Sequence, residues 1–133
     1  MKEVALETID RLCREATASP RRRAHLNLHE DLEEDVQRLL IAMQPGTYVR
    51  PHRHPEPYKK AVILDSAKGT YLCEIPDQQW HGVTCLSDNT VVLEFKRGPY
   101  TPLTLENFAT WAPEENSNTC SEYMDHLIRT VEP

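Results

Sequence analysis

Apolar residues recur at helical spacing near the start of the chain. Ala5, Ile9, Leu12, Cys13 and Ala16 share one side of a 3.6-residue period, and charged residues occupy the other. Thr17 to Pro20 breaks the pattern, which predicts a first helix from about Glu3 to Ala16. The stretch "NLHEDLEEDVQ" is polar and predicts a loop, and the "RLLIAM" that follows is compatible with a buried strand or a helical turn. From Pro45 onward the character changes. "GTYVRPH", "AVIL", "TYLCEI", "GVTCL" and "TVVLEFK" are short, rich in β-prone residues, and separated by Pro, Gly, Asp or Asn. Such punctuation predicts a small antiparallel barrel or sandwich. The end is helical again: Cys120, Tyr123, Met124, Leu127, Ile128 and Val131 form one apolar stripe behind a cap at Asn118 or Thr119. That stripe predicts a packing face against the barrel or a second subunit, with His126 lying off it in solvent.

Composition narrows the class. At 133 residues, with 39% hydrophobic and 27% charged, the chain has the size and balance of one globular domain. The expected division is a lead-in over 1–44, a barrel over 45–103 and a helical segment over 104–133. No apolar run is long enough for a bilayer, and the acidic N-terminus lacks the apolar core of a signal peptide, so a cytoplasmic protein without membrane contact is expected. A net charge of −6 argues against nucleic acid, and the run Arg21-Arg22-Arg23 is expected to be a solvated turn after the first helix. The four cysteines have neither a disulfide-framework nor a zinc-ribbon spacing. Reduced thiols are expected, with a single Cys73–Cys85 bridge as the alternative.

Candidate chemistry begins at "PGTYVRPHRHP". Pro51 and Pro55 disfavour helix, and in an extended strand residues i and i+2 point the same way. His52 and His54 then aim at one point, with Tyr48 and Arg50 on the same side lining the approach. His81, at the start of another β-prone run, is a third candidate. Three neutral imidazoles on adjacent strands make a site for zinc, nickel, iron or manganese. His25 and His29 lie in polar "HLNLHE" and are expected to be loop residues or distant pocket walls. In "VVLEFKRGPY", Val92, Glu94 and Lys96 share one strand face, and Val91, Leu93 and Phe95 the other. Either the apolar face is buried and Glu94 and Lys96 are solvated, or those two point into a polar barrel mouth. In the second case Arg50 and Lys96 favour an anionic ligand. Trp80 is expected on the face opposite His81, in core or interface, and Trp111 as an anchor for the C-terminal segment.

These residues carry a resemblance. Gly46, five residues, then His52-Arg53-His54 matches the G-x5-H-x-H opening of the first cupin motif. Pro76 to His81 follows the P-x-G-x-x-H of the second, with Gln78 in place of the glycine. In combination, "NLH", "VQRLL-AM-PGTYVRPHRHP", "EIP---WHGV", "LEFKRGPY" and "FA-WAPEE" resemble the WbuC-type cupin-fold metalloproteins, associated with bacterial O-antigen and related polysaccharide loci. The resemblance runs from about Ile9 to Glu115. It implies a mainly β, double-stranded β-helix or jelly-roll barrel with flanking N- and C-terminal helices, and a metal at His52, His54 and His81.

One departure stands out. The cupin pattern places a glutamate about four residues after the second histidine, and no acid occupies that position in "PEPYKKAVILDSAKG". Glu56 comes too early by strand geometry, which leaves it a weak candidate for a ligand. The span between the motifs is also short for a strand, a turn and a return strand. Either the barrel is abbreviated or the chain is interrupted near Glu56–Lys60 and Ala67–Gly69, and the second is expected. Two functions follow. One is a metalloenzyme of isomerase or epimerase type, or an iron-dependent oxygenase, acting on a small polar, anionic sugar-type substrate. The other is a non-catalytic metal-dependent binding module or a vestigial site. A homodimer is expected from the apolar C-terminal stripe.

Overall fold

The computed structural model describes residues 2–55, 60–62 and 72–131. Helix α1 spans Leu6–Ala18, close to its predicted position. Among the described residues seven strands follow: β1 Arg23–Asn27, β2 Val36–Met43, β3 Tyr48–His52, β4 Lys60–Val62, β5 Cys73–Ile75, β6 His81–Thr84 and β7 Thr90–Arg97. Helix α2, Cys120–Val131, closes the described chain, with Tyr123, Met124, Leu127 and Ile128 half-buried and His126 exposed.

All the pairings are antiparallel. One sheet runs β1-β2-β7-β4-β5, and the second pairs β3 with β6. The ambiguous "RLLIAM" is therefore strand, and it supplies the centre of the larger sheet. β1 was expected to be loop. Its sequence Ala24-His25-Leu26-Asn27-Leu28-His29 alternates apolar and polar without interruption, which is the strand period rather than the helical one. The interruptions expected near Glu56–Lys60 and Ala67–Gly69 fall mainly at residues outside those described, as does Glu56. Within the described residues β4 and β5 are strands of three residues each, so the return is brief.

Register decides which face each residue takes. Leu40 opposes Leu93 and Ala42 opposes Val91, and this outer face carries α1: Leu12, Cys13 and Ala16 pack on Ala42, flanked by Ala24, Leu26, Leu40 and Val91. On the inner face Ile41 opposes Val92 and Leu39 opposes Glu94. There Met43, Cys85 and Val92, with Ile41, Ile75 and Val83, join the inner faces of the two sheets. The larger sheet thus buries apolar side chains outward under a helix and turns a partly polar face inward.

The turn from β2 to β3 explains "PGT". Thr47 N–H bonds the Gln44 carbonyl at 3.0 Å, with Pro45 and Gly46 central and Gly46 at φ +91°. This is a type II turn, which needs proline's fixed φ first and a residue free to take positive φ second. Arg21 and Arg22 sit in the turn after α1 as expected, but Arg23 does not: it enters β1 buried, with its guanidinium on Glu115. Trp111 is 63% exposed rather than an anchor, and it meets Trp80 edge to face at 6.4 Å. All four cysteines are free thiols, so Cys73 and Cys85 form no bridge.

Candidate metal centre

Three histidines converge between the sheets. His52 ends β3, His54 lies two residues beyond it, and His81 opens β6 as the register partner of His52. Ring centroids are 4.3 Å apart for His52 and His81, 5.0 Å for His52 and His54, and 5.2 Å for His54 and His81. One ring nitrogen from each lies within 4.8 Å of the others. A tetrahedral site with metal–nitrogen bonds of about 2.1 Å has nitrogen–nitrogen edges of roughly 3.4 Å, so small inward ring rotations would close the cage.

The donor chemistry fits a cation. His52 Nδ1 is 2.9 Å from the Arg50 carbonyl, and His81 Nδ1 is 2.9 Å from the Gln79 carbonyl. A carbonyl oxygen only accepts, so both Nδ1 atoms carry the proton and the neutral rings keep their lone pairs on Nε2. Fixing the tautomer through a backbone carbonyl is how metal-ligating histidines are oriented. These three side chains could hold a divalent transition ion.

The backbone around them is specialised. β3 loses regular register between Val49 and His52, where Pro51 sits. Gly82, next to His81, faces this irregularity: a Cβ there would lie 2.8 Å from the Val49 carbonyl oxygen. Only glycine lets β6 approach so closely. On its other edge β3 is covered by residues 107–109, through Arg53 N–H to the Asn107 carbonyl at 2.9 Å and Ala109 N–H to the Pro51 carbonyl at 2.8 Å. Gln78, which stands where the second cupin motif has glycine, adopts φ +61°. Its Nε2 donates to the His54 carbonyl at 3.1 Å, so the side chain that strains this turn also fastens His54.

The cage opens on a cavity of about 790 Å³ whose walls come from both sheets, including His25, His29, Gln37, Glu94 and Lys96. Glu94 is only 5% exposed, and Lys96 Nζ lies 3.7 Å from its Oε1. Of the two orientations open for β7, the structure has Glu94 and Lys96 inward and Phe95 exposed. The physical reason is α1, which already covers the outer face at Val91. His25 and His29, expected as loop or distant wall, are in the wall. His25 is exposed toward the cavity, and partial desolvation by the surrounding walls lowers its pKa below the usual histidine value, with Arg23 adding to the fall.

Tyr48 and Arg50 require a correction. Neither lines the cavity, whereas Val49 does. The irregularity between Val49 and His52 shifts the alternation by one position, so Tyr48 and Arg50 face away from the histidines. Tyr48 is buried, its hydroxyl donates to the Pro113 carbonyl at 3.0 Å, and its ring meets Tyr123. Burial raises the Tyr48 hydroxyl to about 12. Arg50 donates to the Ala109 carbonyl at 2.9 Å and lies over the Phe108 ring.

Comparison with known proteins follows this geometry. Residues 4–73 match the model of a family described as a domain of unknown function, DUF6016. No curated protein matches the sequence. Among solved structures, the crystal structure of an RmlC-like cupin protein from Desulfovibrio desulfuricans is similar, with a TM-score of 0.52 and 16% identity over 73% of this chain and 96% of that one. At that identity the likeness speaks for the fold, which is cupin-like.

Proposed function

We propose that the chain, which belongs to the DUF6016 family, is a metal-binding cupin that acts on a small, anionic, sugar-type substrate in the cavity beside its histidine cage. The observation that carries the metal is the convergence of His52, His54 and His81, with two of the rings held by backbone carbonyls at Nδ1. Zinc, nickel and iron suit imidazole donors, whereas manganese prefers oxygen ligands and fits this all-histidine cluster less well. When bound, the ion would supply Lewis-acid polarisation of a carbonyl or activation of a water.

The chain's own residues supply the rest. Glu94 is a buried carboxylate in the same cavity and is the proton acceptor. Lys96 offers a positive charge to an anionic substrate group. Met43, Val83 and Val92 make an apolar floor that excludes water. The motif resemblance to WbuC-type proteins supports a role in O-antigen or other cell-surface polysaccharide synthesis; the acidic N-terminal sequence favours a cytoplasmic setting, and the apolar stripe of α2 a homodimer. A metal-dependent binding module is the second reading, favoured because the metal-capable cluster among the described residues contains no carboxylate.

The test is elemental analysis of tag-free protein, wild type against His52→Ala and His81→Ala, with turnover of nucleotide sugars measured alongside. The expected result is about one ion per chain in wild type, lost in both variants, with turnover falling in parallel. A metal-free wild type would overturn the metal reading. Metal retention without turnover of any nucleotide sugar would leave the binding module.

A further inference from the structure

The geometry points to a second recognition site in the same cavity, built from His29 and Gln37 and complementary to ligand hydroxyl groups. His29 is 7% exposed and Gln37 fully buried, and both line the cavity. Each ends in a buried polar atom, His29 Nε2 and Gln37 Oε1, that has no hydrogen-bond partner among the described residues. Leaving such an atom unmet is costly, so a pair of them in one cavity wall calls for a ligand or a resident water.

The identity of each atom follows from its other contacts. His29 Nδ1 lies 2.9 Å from the Arg38 carbonyl oxygen and 3.1 Å from the Arg38 amide nitrogen; the amide can only donate, and the carbonyl already accepts Leu28 N–H at 2.8 Å. Nδ1 therefore carries the lone pair, and the neutral ring presents Nε2–H as a donor. The Gln37 amide nitrogen sits 3.0–3.4 Å from the carbonyls of Asp31, Leu32 and Glu34, which fixes its orientation and leaves Oε1 as a pure acceptor. A carboxylate or phosphate would satisfy the donor and be repelled by the acceptor, and an ammonium the reverse. A hydroxyl answers both, because it donates and accepts.

Position agrees with chemistry. Gln37 opposes Lys96 across the β2–β7 ladder, two residues beyond the Leu39–Glu94 pair. The site thus flanks Glu94 and Lys96 on the side away from the apolar floor at Met43 and Val92. A substrate reaching from the histidine cage past Glu94 would place its hydroxyls here. The inference deepens the proposed function by naming the groups the substrate presents, and takes from it only that ligands enter this cavity.

The test is saturation-transfer NMR on the full-length, zinc-loaded protein. The probes are methyl hexopyranosides and, as the ring without hydroxyls, tetrahydropyran. His29→Asn is the main variant, since its side-chain oxygen can still accept Arg38 N–H while the Nε2 donor is lost; its melting temperature checks the fold. The expected outcome is transfer to the hexosides only, with affinity falling roughly tenfold in His29→Asn. Wild-type protein stripped of metal by a chelator, run in parallel, is expected to keep His29-dependent hexoside binding. That result with a metal-free wild type would sink the metal reading and leave this one standing. Equal binding by His29→Asn, equal transfer to tetrahydropyran, or a crystal structure with a resident water on both atoms and no hexoside binding would each overturn the inference.

Discussion

Removing the carboxylate of Glu115 should expose how the C-terminal segment is held against the sheet. Arg23 Nη2 reaches both Glu115 oxygens at 2.9 Å, and Nη1 donates to the Tyr48 carbonyl at 2.9 Å. The Arg23 side chain is 4% exposed and that of Glu115 23%. Burial drives the Arg23 pKa down and Glu115 opposes the fall, so the carboxylate is what makes a buried guanidinium tolerable. Breaking a buried pair from one side costs about 3–5 kcal/mol. Glu115 is partly solvated and also meets exposed Arg21, which places the expected cost of Glu115→Ala near the low end, at about 3 kcal/mol. For a chain of this size that corresponds to a fall in Tm of about 12 °C. Urea and thermal unfolding followed by circular dichroism and by Trp80 and Trp111 fluorescence would measure it. The double variant Arg23→Met, Glu115→Leu should recover most of the loss, since apolar replacement of both partners removes the stranded charge. A Tm change below about 2 °C for Glu115→Ala, or a double variant no better than the single one, would refute the reasoning.

Other consequences are more local. Gly82→Ala should cost about 1–3 kcal/mol and weaken metal retention, because its Cβ meets the Val49 carbonyl oxygen and pushes β6 from the bulged β3; chemical denaturation and metal titration read the two effects. Desolvation gives His25 a folded pKa below its unfolded value, with Arg23, Arg21 and Lys96 also disfavouring its charge and Glu94 favouring it, and the side chain's exposure keeps the effect small. The unfolded chain then binds more protons, so this contribution is full above about pH 6.5 and is lost as pH falls through that value toward the depressed one; His25→Gln should flatten the stability profile between about pH 7 and 5. Burial raises the Cys13 and Cys120 thiols, so in native protein Cys73, which is half-exposed, should react first with an aromatic disulfide, as mass spectrometry of the labelled protein would show.

What the sequence disclosed depended on how local the controlling physics is. Helix periodicity, the Pro45-Gly46 turn and the punctuation of short strands are local, and α1, α2 and most strands fall where they were expected. β1 was also legible, since Ala24 to His29 alternates strictly, but its polar positions look like a solvent face until α1 is seen to cover the apolar one. The same ambiguity left Glu94 open between solvent and barrel mouth, because choosing its buried setting requires knowing that the outer face of β7 is already occupied. Tyr48 and Arg50 failed for a different reason. Strand alternation assigns faces only while register holds, and here it breaks at the very segment that delivers His52. The irregularity answers to Gly82 on the partner strand, more than thirty positions away, a dependence no window on "YVRPHRH" contains. Gln78 combines both lessons. As a departure from a glycine motif it reads as a defect, yet at φ +61° it takes the glycine's backbone conformation and adds a bond to the His54 carbonyl. Replacing it with glycine should relieve local strain while loosening one wall of the cage, so stability and metal affinity should move in opposite directions.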